Sequence, residues 1–163
     1  MAPPFLARKV ERSGMRAVVQ RVKKAAVEVS GDKVSETGPG LLVFLGVSRE
    51  DTEEDADYLL KKIVELRIFA DPEGKFNLCL TDVGGELMAV SQFTIMGDAR
   101  KGRRPSFSEA AKGEKALELY EYFVFKAKDM GLKVGEGRFG AMMDVSLIND
   151  GPVTMLLDSR RLF

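Results

Sequence analysis

The segment LLVFLGV, Leu41–Val47, is a near-continuous apolar run and predicts a strand that is buried on both faces. A Gly-Pro-Gly sequence at 38–40 interrupts the chain before it. After the run, Thr52 and Asp55 have the spacing of a capping box, with Asp in place of the usual Glu, so a helix is predicted to begin at Asp51 or Thr52. A buried strand that leads into an amphipathic helix indicates a domain built of both helix and sheet.

Alternating apolar patterns predict further strands on both sides of this unit. They cover Met15–Val22, Ala25–Val29, Phe76–Leu80, Glu86–Met96, Ala141–Ile148 and Val153–Asp158. A second helix is predicted over Gly113–Asp129, with Gly131 as its stop. The predicted fold class is therefore α+β, a single domain whose mixed or antiparallel β-sheets form a barrel-like core with two helices packed on it.

The first fourteen residues differ in pattern from the rest. Residues 1–14 carry Arg8, Lys9 and Arg12 against Glu11 alone, and their apolar stretch is too short for a secretory leader. We expect 1–14 to be a disordered or non-native N-terminal extension without function, and 15–163 to be the functional domain.

Composition excludes several kinds of chemistry. Among 163 residues there are 25 Lys plus Arg, 25 Asp plus Glu, no His and one Cys. The absence of His excludes Ser-His-Asp and Cys-His catalysis, and a single Cys excludes an intrachain disulfide and CxxC motifs. Cys79 is predicted to be a buried small apolar residue. We expect no metal and no cofactor. We also expect no membrane partner, because no apolar run approaches the roughly 18 residues that a membrane span needs. The expected location is the cytoplasm.

The segment 135–140 (Gly-Glu-Gly-Arg-Phe-Gly) matches the G-x-G-x-x-G pattern of dinucleotide sites. Such a site needs a helix directly after the glycines, so that the helix N-terminus meets the pyrophosphate. The residues that follow, Ala141–Val145, have the pattern of a strand instead. The motif therefore predicts no dinucleotide.

Three other segments are candidates for function. The first is a local basic cluster of Arg100, Lys101, Arg103 and Arg104. Such a cluster can contact RNA phosphates, and an ordinary solvated loop is an equal alternative.

Ser91, Gln92, Phe93 and Thr94 end an apolar strand, where free backbone N–H groups can form an oxyanion site. On the residues alone, a Ser/Thr pair with no base beside it is more often structural than catalytic.

The segment Asn149–Thr154 (Asn-Asp-Gly-Pro-Val-Thr) is predicted to be a turn between two strands. Its Gly151-Pro152 pair permits a cis peptide, which would give a rigid backbone element with no side chain at Gly151. An ordinary turn is the simpler alternative.

Taken in order, these segments resemble the D-aminoacyl-tRNA deacylase family. The resemblance rests on Met15–Val22, Ser91–Thr94, Lys101–Phe107, Phe139–Met143 and Asn149–Thr154, and it spans the chain from Met15 to about Arg160. One departure is Ile95-Met96-Gly97, where family members commonly carry Leu-Tyr-Ala.

The resemblance implies a homodimer with active sites at the interface, which releases free D-amino acid and tRNA from D-aminoacyl-tRNA and also acts on glycyl-tRNA. In the family, a Gly-cis-Pro pair of one subunit enters the other subunit's pocket and rejects L-amino acids. Carried over, Gly151 and Pro152 read chirality, and Arg21, Asn149 and Thr154 support them. Ser91, Gln92, Phe93 and Thr94 line the catalytic pocket, and the basic cluster contacts tRNA.

Two mechanisms and two further functions stay open. The substrate's ribose 2′-OH can assist water while a backbone donor near Phe93 holds the oxyanion, or Thr94 can act as the nucleophile. We favour the RNA-assisted route, because the sequence offers no base for Thr94. The chain could instead be a non-catalytic tRNA-binding module, or a dimer that binds a small ligand and ignores tRNA.

Overall fold

The longest element of the fold is a strand that organises all the others. We describe residues 12–163 in a computed structural model. The strands are β1 Arg16–Val29, β2 Asp32–Thr37, β3 Gly40–Gly46, β4 Phe69–Ala70, β5 Phe76–Leu78, β6 Glu86–Ser91, β7 Val134–Glu136 and β8 Asp144–Asp158. The helices are α1 Glu53–Glu65, α2 Gly113–Asp129 and a short 3₁₀ helix at Phe93–Met96.

The strands form a mixed sheet that curls into a nearly closed barrel. Its order is β2-β1-β3-β6-β7, with β8 on the other edge of β1, while β4 and β5 form a separate hairpin. β1 is antiparallel to β2, β3 and β8, whereas β6 is parallel to β3 and β7. The two end strands meet where the Glu136 N–H donates to Ser35 Oγ at 3.1 Å. The α+β fold and the barrel-like core predicted from the sequence are confirmed.

Apolar side chains fill the barrel and the layer beneath the helices. Inside the barrel lie Val22, Ala25, Val27, Leu42, Met88 and Val90, all buried. The larger cluster joins the outer face of the sheet to α1 and α2. The apolar residues that recur at helical spacing in the sequence are buried at Ala56, Leu59, Leu60 and Ile63 of α1 and at Ala116, Tyr120, Phe123 and Ala127 of α2. Leu66, predicted to share the face of α1, lies just past its last residue and is only partly buried.

The start of α1 follows the sequence pattern. Thr52 is the N-cap, and its N–H donates to Asp55 Oδ2 at 2.8 Å as part of the predicted capping box. Just before it, the buried Asp51 accepts hydrogen bonds from the Ser48 N–H and Oγ at 2.6 and 2.7 Å, and burial raises the pKa of Asp51 to about 6. These bonds fix the turn that leaves β3.

Several predicted element boundaries are wrong. The two strands expected at Met15–Val22 and Ala25–Val29 are one strand, β1. The strand expected over Glu86–Met96 ends at Ser91, because Gln92 makes the last ladder bond to Leu45 and the chain then turns into the 3₁₀ helix. Cys79 is only half-buried, with Sγ 3.3 Å from Thr81 Oγ1, and Leu80 takes the buried position instead.

The predicted extension 1–14 lies largely outside the described residues, which begin at 12. Of the three that are described, Gly14 is buried and its N–H donates to Asp158 Oδ1 at 3.1 Å, while Arg12 pairs with Glu50 at 2.6 Å. Across 12–163, no helix is both long and apolar enough to cross a membrane.

Candidate active site

An apolar cavity of about 670 Å³ opens where β6 meets the 3₁₀ helix. Its walls come from β3, from the start of α2 and from the loop before β8. The lining residues are Phe44, Leu45, Val47, Val90, Ser91, Gln92, Phe93, Thr94, Ala111, Gly113, Ala116, Phe139, Gly140, Ala141, Met142, Met143 and Val145. All four predicted pocket residues, Ser91–Thr94, are therefore brought together on one wall.

Two backbone donors are free on that wall. Phe93 and Thr94 are the first two residues of the 3₁₀ helix, so their N–H groups have no acceptor within it. Among residues 12–163, neither N–H donates to another group. Free N–H groups beside a cavity can bind the oxyanion of an acyl-transfer intermediate.

The hydroxyl of Thr94 has an amide rather than a base as its neighbour. Gln92 Nε2 donates to Thr94 Oγ1 at 3.0 Å. Within the described chain, no carboxylate or amine bonds to this oxygen. The geometry therefore gives Thr94 no group that would take its proton.

An aromatic pair supports the same wall from outside. The rings of Phe93 and Phe107 meet edge to face, with centroids 5.1 Å apart and planes at 67°. A Cβ at Gly97 would lie 2.9 Å from Phe107 Cε1, so the missing side chain at Gly97 makes room for that ring. Phe107 therefore ties the segment after the basic cluster to the pocket wall.

The segment Asn149–Thr154 is a large bulge in β8 and not the predicted turn between two strands. Between the pairs Gln20–Thr154 and Val22–Asn149, β1 advances by two residues while β8 advances by five. The excess residues are left without a pairing partner on β1, and the Gly151–Pro152 bond among them is cis. Strand pairing resumes on both sides, so Asp144–Asp158 is a single strand.

Side chains on both strands hold this bulge. Asn149 Oδ1 accepts the Val153 N–H at 3.0 Å, and Asn149 Nδ2 donates to Thr154 Oγ1 at 3.2 Å. Arg21 Nε donates to the Asp150 carbonyl at 3.2 Å. Two of the predicted support residues, Arg21 and Asn149, therefore bond to the residues on either side of Gly151 and Pro152, and the third, Thr154, bonds to Asn149.

The basic cluster lies on a loop closed by two backbone bonds. The Asp98 and Ser106 backbones exchange hydrogen bonds of 2.7 and 2.8 Å. Arg100 forms a two-pronged pair with the Asp98 carboxylate, at 2.9 and 2.7 Å, and this pairing holds the pKa of Asp98 well below its usual range. Lys101, Arg103 and Arg104 are exposed and form no ion pair with any residue in 12–163. Arg100 is thus partly neutralised, and three cations stay available.

The sequence and structure match one family of known proteins. The family model described as D-Tyr-tRNA(Tyr) deacylase matches residues 18–158. The chain belongs to this family. Curated relatives called D-aminoacyl-tRNA deacylase include those of Alkaliphilus metalliredigens, 60% identical over 149 residues, and Caldicellulosiruptor saccharolyticus, 59% identical over 149 residues. In both cases the match covers 91% of this chain and 100% of the relative.

Two solved structures share the fold of this family member. The c-Myc DNA Unwinding Element Binding Protein is 40% identical, with a TM-score of 0.83, over 87% of this chain and 97% of that one. A probable eukaryotic D-amino acid tRNA deacylase is 19% identical, with a TM-score of 0.76, over 88% of this chain and 98% of that one. Membership of a deacylase family makes the chain a hydrolase.

The pocket of this deacylase-family chain contains residues beyond the site residues predicted from the sequence. Phe139–Met143 line the cavity, and Met142 is 92% exposed. The glycine-rich segment 135–140 is not followed by a helix, which agrees with the prediction. β7 ends at Glu136, and a loop follows. Within 12–163, no group of three or more His, Cys, Asp or Glu side chains is placed to hold a metal ion.

Proposed function

We propose that the protein hydrolyses the ester bond of D-aminoacyl-tRNA, and of glycyl-tRNA, in the cytoplasm. The observation that carries the proposal is the pair of free N–H groups at Phe93 and Thr94 beside an apolar cavity, in a member of the D-Tyr-tRNA(Tyr) deacylase family. Water attacks the ester carbonyl, the bond to the ribose oxygen breaks, and free amino acid and tRNA leave.

The proposed mechanism relies on the backbone and on the substrate. The oxyanion forms against the Phe93 and Thr94 N–H groups, and one such donor is typically worth about 10²–10³ in rate. The ribose 2′-OH of the substrate orients or deprotonates the water. An aminoacyl ester is already activated, so the site needs no His.

Substitution of Thr94 separates the two mechanisms. Thr94→Ala removes the hydroxyl but keeps the N–H, so the RNA-assisted route predicts a single-turnover rate within about tenfold of wild type. Rapid-quench measurement on D-aminoacyl-tRNA gives this rate, with Ser91→Ala as the matched hydroxyl deletion on the same wall. A loss of more than about a thousandfold would instead establish Thr94 as the nucleophile.

We propose that Gly151 and Pro152 read the chirality of the amino acid across a homodimer interface. Three observations support a partner subunit. No residue of 149–154 lines the cavity of its own chain. Gly151 and Pro152 are exposed, and β8 presents Ile148, Met155 and Leu156 to solvent. No other described strand pairs with the outer edge of β8.

The proposed rejection of L-amino acids depends on the backbone at Gly151. A D-amino acid or glycine directs only hydrogen toward a carbonyl placed beside the Cα, whereas an L side chain occupies that space. Gly151 has φ +129° and no side chain, so the backbone itself can approach the substrate. The selection is therefore steric and requires a rigid support.

We propose that Lys101, Arg103 and Arg104 contact tRNA phosphates, with Arg100 contributing less because Asp98 pairs with it. Arg103→Gln is then expected to lower tRNA affinity. It should also make the plot of the logarithm of the tRNA association constant against the logarithm of salt concentration less steep, by about 0.7–0.9 in slope. Arg100→Gln is the matched control, with a smaller change in slope. Filter-binding titrations across salt concentrations measure both, and equal slopes for wild type and Arg103→Gln would contradict the phosphate contact.

A non-catalytic tRNA-binding module is the second candidate, favoured only by the exposed basic loop. It predicts binding that ignores the attached amino acid and no turnover of any ester. The free N–H pair in an apolar cavity has no role in that function, which is why we prefer hydrolysis.

A further inference from the structure

The side chain of Arg21 is held from several directions. It lies on β1 and is only 12% exposed. Nη1 donates to the Ile68 carbonyl at 2.6 Å, and Nε donates to the Asp150 carbonyl at 3.2 Å, with Asp150 Oδ2 3.5 Å away. The guanidinium therefore links the segment before β4 to the bulge of β8.

Phe76 supplies another contact to the same group. The guanidinium carbon of Arg21 lies over the Phe76 ring, 5.4 Å from its centroid. Phe76 is on β5, so the β4–β5 hairpin provides the ring and the adjacent segment provides the Ile68 carbonyl. An aromatic face attracts a guanidinium electrostatically and also stacks against its plane.

The position of this guanidinium bears directly on Gly151. A Cβ built on Gly151 would lie 3.0 Å from Arg21 Nη2, so the guanidinium packs against the glycine itself. Its two carbonyl bonds leave the flat group free to tilt about them unless a surface holds its face. The Phe76 ring is such a surface, although 57% of Phe76 is exposed.

We propose that Phe76 is a positioning residue for chirality reading: its ring holds the Arg21 guanidinium against Asp150 and Gly151. The proposal rests on the proposed function, in which Gly151 excludes L-amino acids. It assigns the β4–β5 hairpin, which lies outside the six-stranded sheet, a part in substrate selection. The required property of residue 76 is an aromatic face and not apolar bulk alone.

The test compares variants that separate the face from the bulk. Phe76→Leu is expected to lower the ratio of kcat/KM for D- over L-aminoacyl-tRNA about three- to tenfold, while Phe76→Tyr stays near wild type. Phe125→Leu is the matched control, since Phe125 is a 65% exposed phenylalanine on the outer side of α2. Because Phe76 is exposed, thermal unfolding midpoints of these variants are expected to stay close to wild type.

A double-mutant cycle shows whether Phe76 acts through Arg21. In an Arg21→Lys background, Phe76→Leu is expected to change the D/L ratio less than twofold, because Lys lacks the planar group that the ring holds. An unchanged ratio in Phe76→Leu, with a lowered ratio in Gly151→Ala, would overturn the role of Phe76 and leave the proposed function standing. An equal loss in both backgrounds would also overturn it. A wild-type enzyme that hydrolyses D- and L-esters equally would overturn both proposals.

Discussion

Gly151→Ala is expected to lower the ratio of kcat/KM for D- over L-aminoacyl-tRNA by about a hundredfold, since misplacement of a positioned group by about 1 Å can cost that much. The added Cβ would lie 2.9 Å from Val153 Cγ2, 3.0 Å from Arg21 Nη2 and 3.2 Å from the Val153 nitrogen. The backbone there has φ +129°, which an L side chain rarely adopts. The bulge must therefore shift, and the carbonyls beside the substrate Cα shift with it.

Gly84→Ala is the matched control for this substitution. Gly84 also has a positive φ, +64°, but an added Cβ there meets nothing within 4 Å, and Gly84 does not line the cavity. The D/L ratio of Gly84→Ala is expected to equal that of wild type. If Gly151→Ala retains both the rate on the D-ester and the ratio, Gly151 does not read chirality.

Phe93→Pro is expected to reduce the single-turnover rate on D-aminoacyl-tRNA by about 10²–10³, because proline removes one oxyanion donor. The local backbone accepts proline. Phe93 begins the 3₁₀ helix, where its N–H makes no bond within residues 12–163, and Gln92 before it is extended, with φ −143° and ψ 94°. The substitution therefore deletes the donor with little damage to the fold.

The control for the lost ring is Phe93→Ala, which keeps the N–H. Phe93 is 57% exposed and packs on Phe107, so its ring contributes some order to the pocket wall. Phe93→Ala is expected to lose much less rate than Phe93→Pro. Equal rates for the two variants would show that the Phe93 N–H does not stabilise the transition state.

Mixing the two damaged proteins tests the cross-subunit arrangement. A dimer of one Gly151→Ala and one Phe93→Pro subunit contains one site with an intact pocket and an intact reader, if these come from different subunits. Random subunit exchange at equal mixing makes about half of the dimers mixed, and each mixed dimer has one intact site of its two. About a quarter of the wild-type number of intact sites should then form. Unrestored activity after demonstrated exchange would place the reader and the pocket in the same chain.

The regular parts of the fold could be predicted because local pattern and burial agree. The apolar run at Leu41–Val47, the capping pair Thr52 and Asp55, and the spacing in Gly113–Asp129 each determine their element through nearby residues. The predicted burial of Cys79 was wrong. An alternating pattern shows which residues share a face of a strand, but it does not show where the strand ends, and β5 ends at Leu78, before Cys79.

The site was harder to predict, because its geometry depends on distant pairing. The strand around Asn149–Thr154 looks broken by Gly and Pro, yet β1 pairs with both halves, so the segment becomes a bulge instead of a turn. The sequence also does not show which basic residue of the cluster forms an ion pair. Arg100 pairs with Asp98, whereas Lys101, Arg103 and Arg104 do not, and no sequence pattern distinguishes Arg100 from these three. The contact between Phe76 and Arg21 joins residues 55 positions apart and depends on the packing of a hairpin. By contrast, the motifs and their order along the sequence were enough to indicate the family.

The proposed function is best tested by measuring hydrolysis of D-tyrosyl-tRNA and L-tyrosyl-tRNA by the purified protein, with and without a chelator. We expect rapid release of D-tyrosine, little release of L-tyrosine, and no effect of the chelator. Tight tRNA binding without hydrolysis of either ester, or equal hydrolysis of both, would contradict the account.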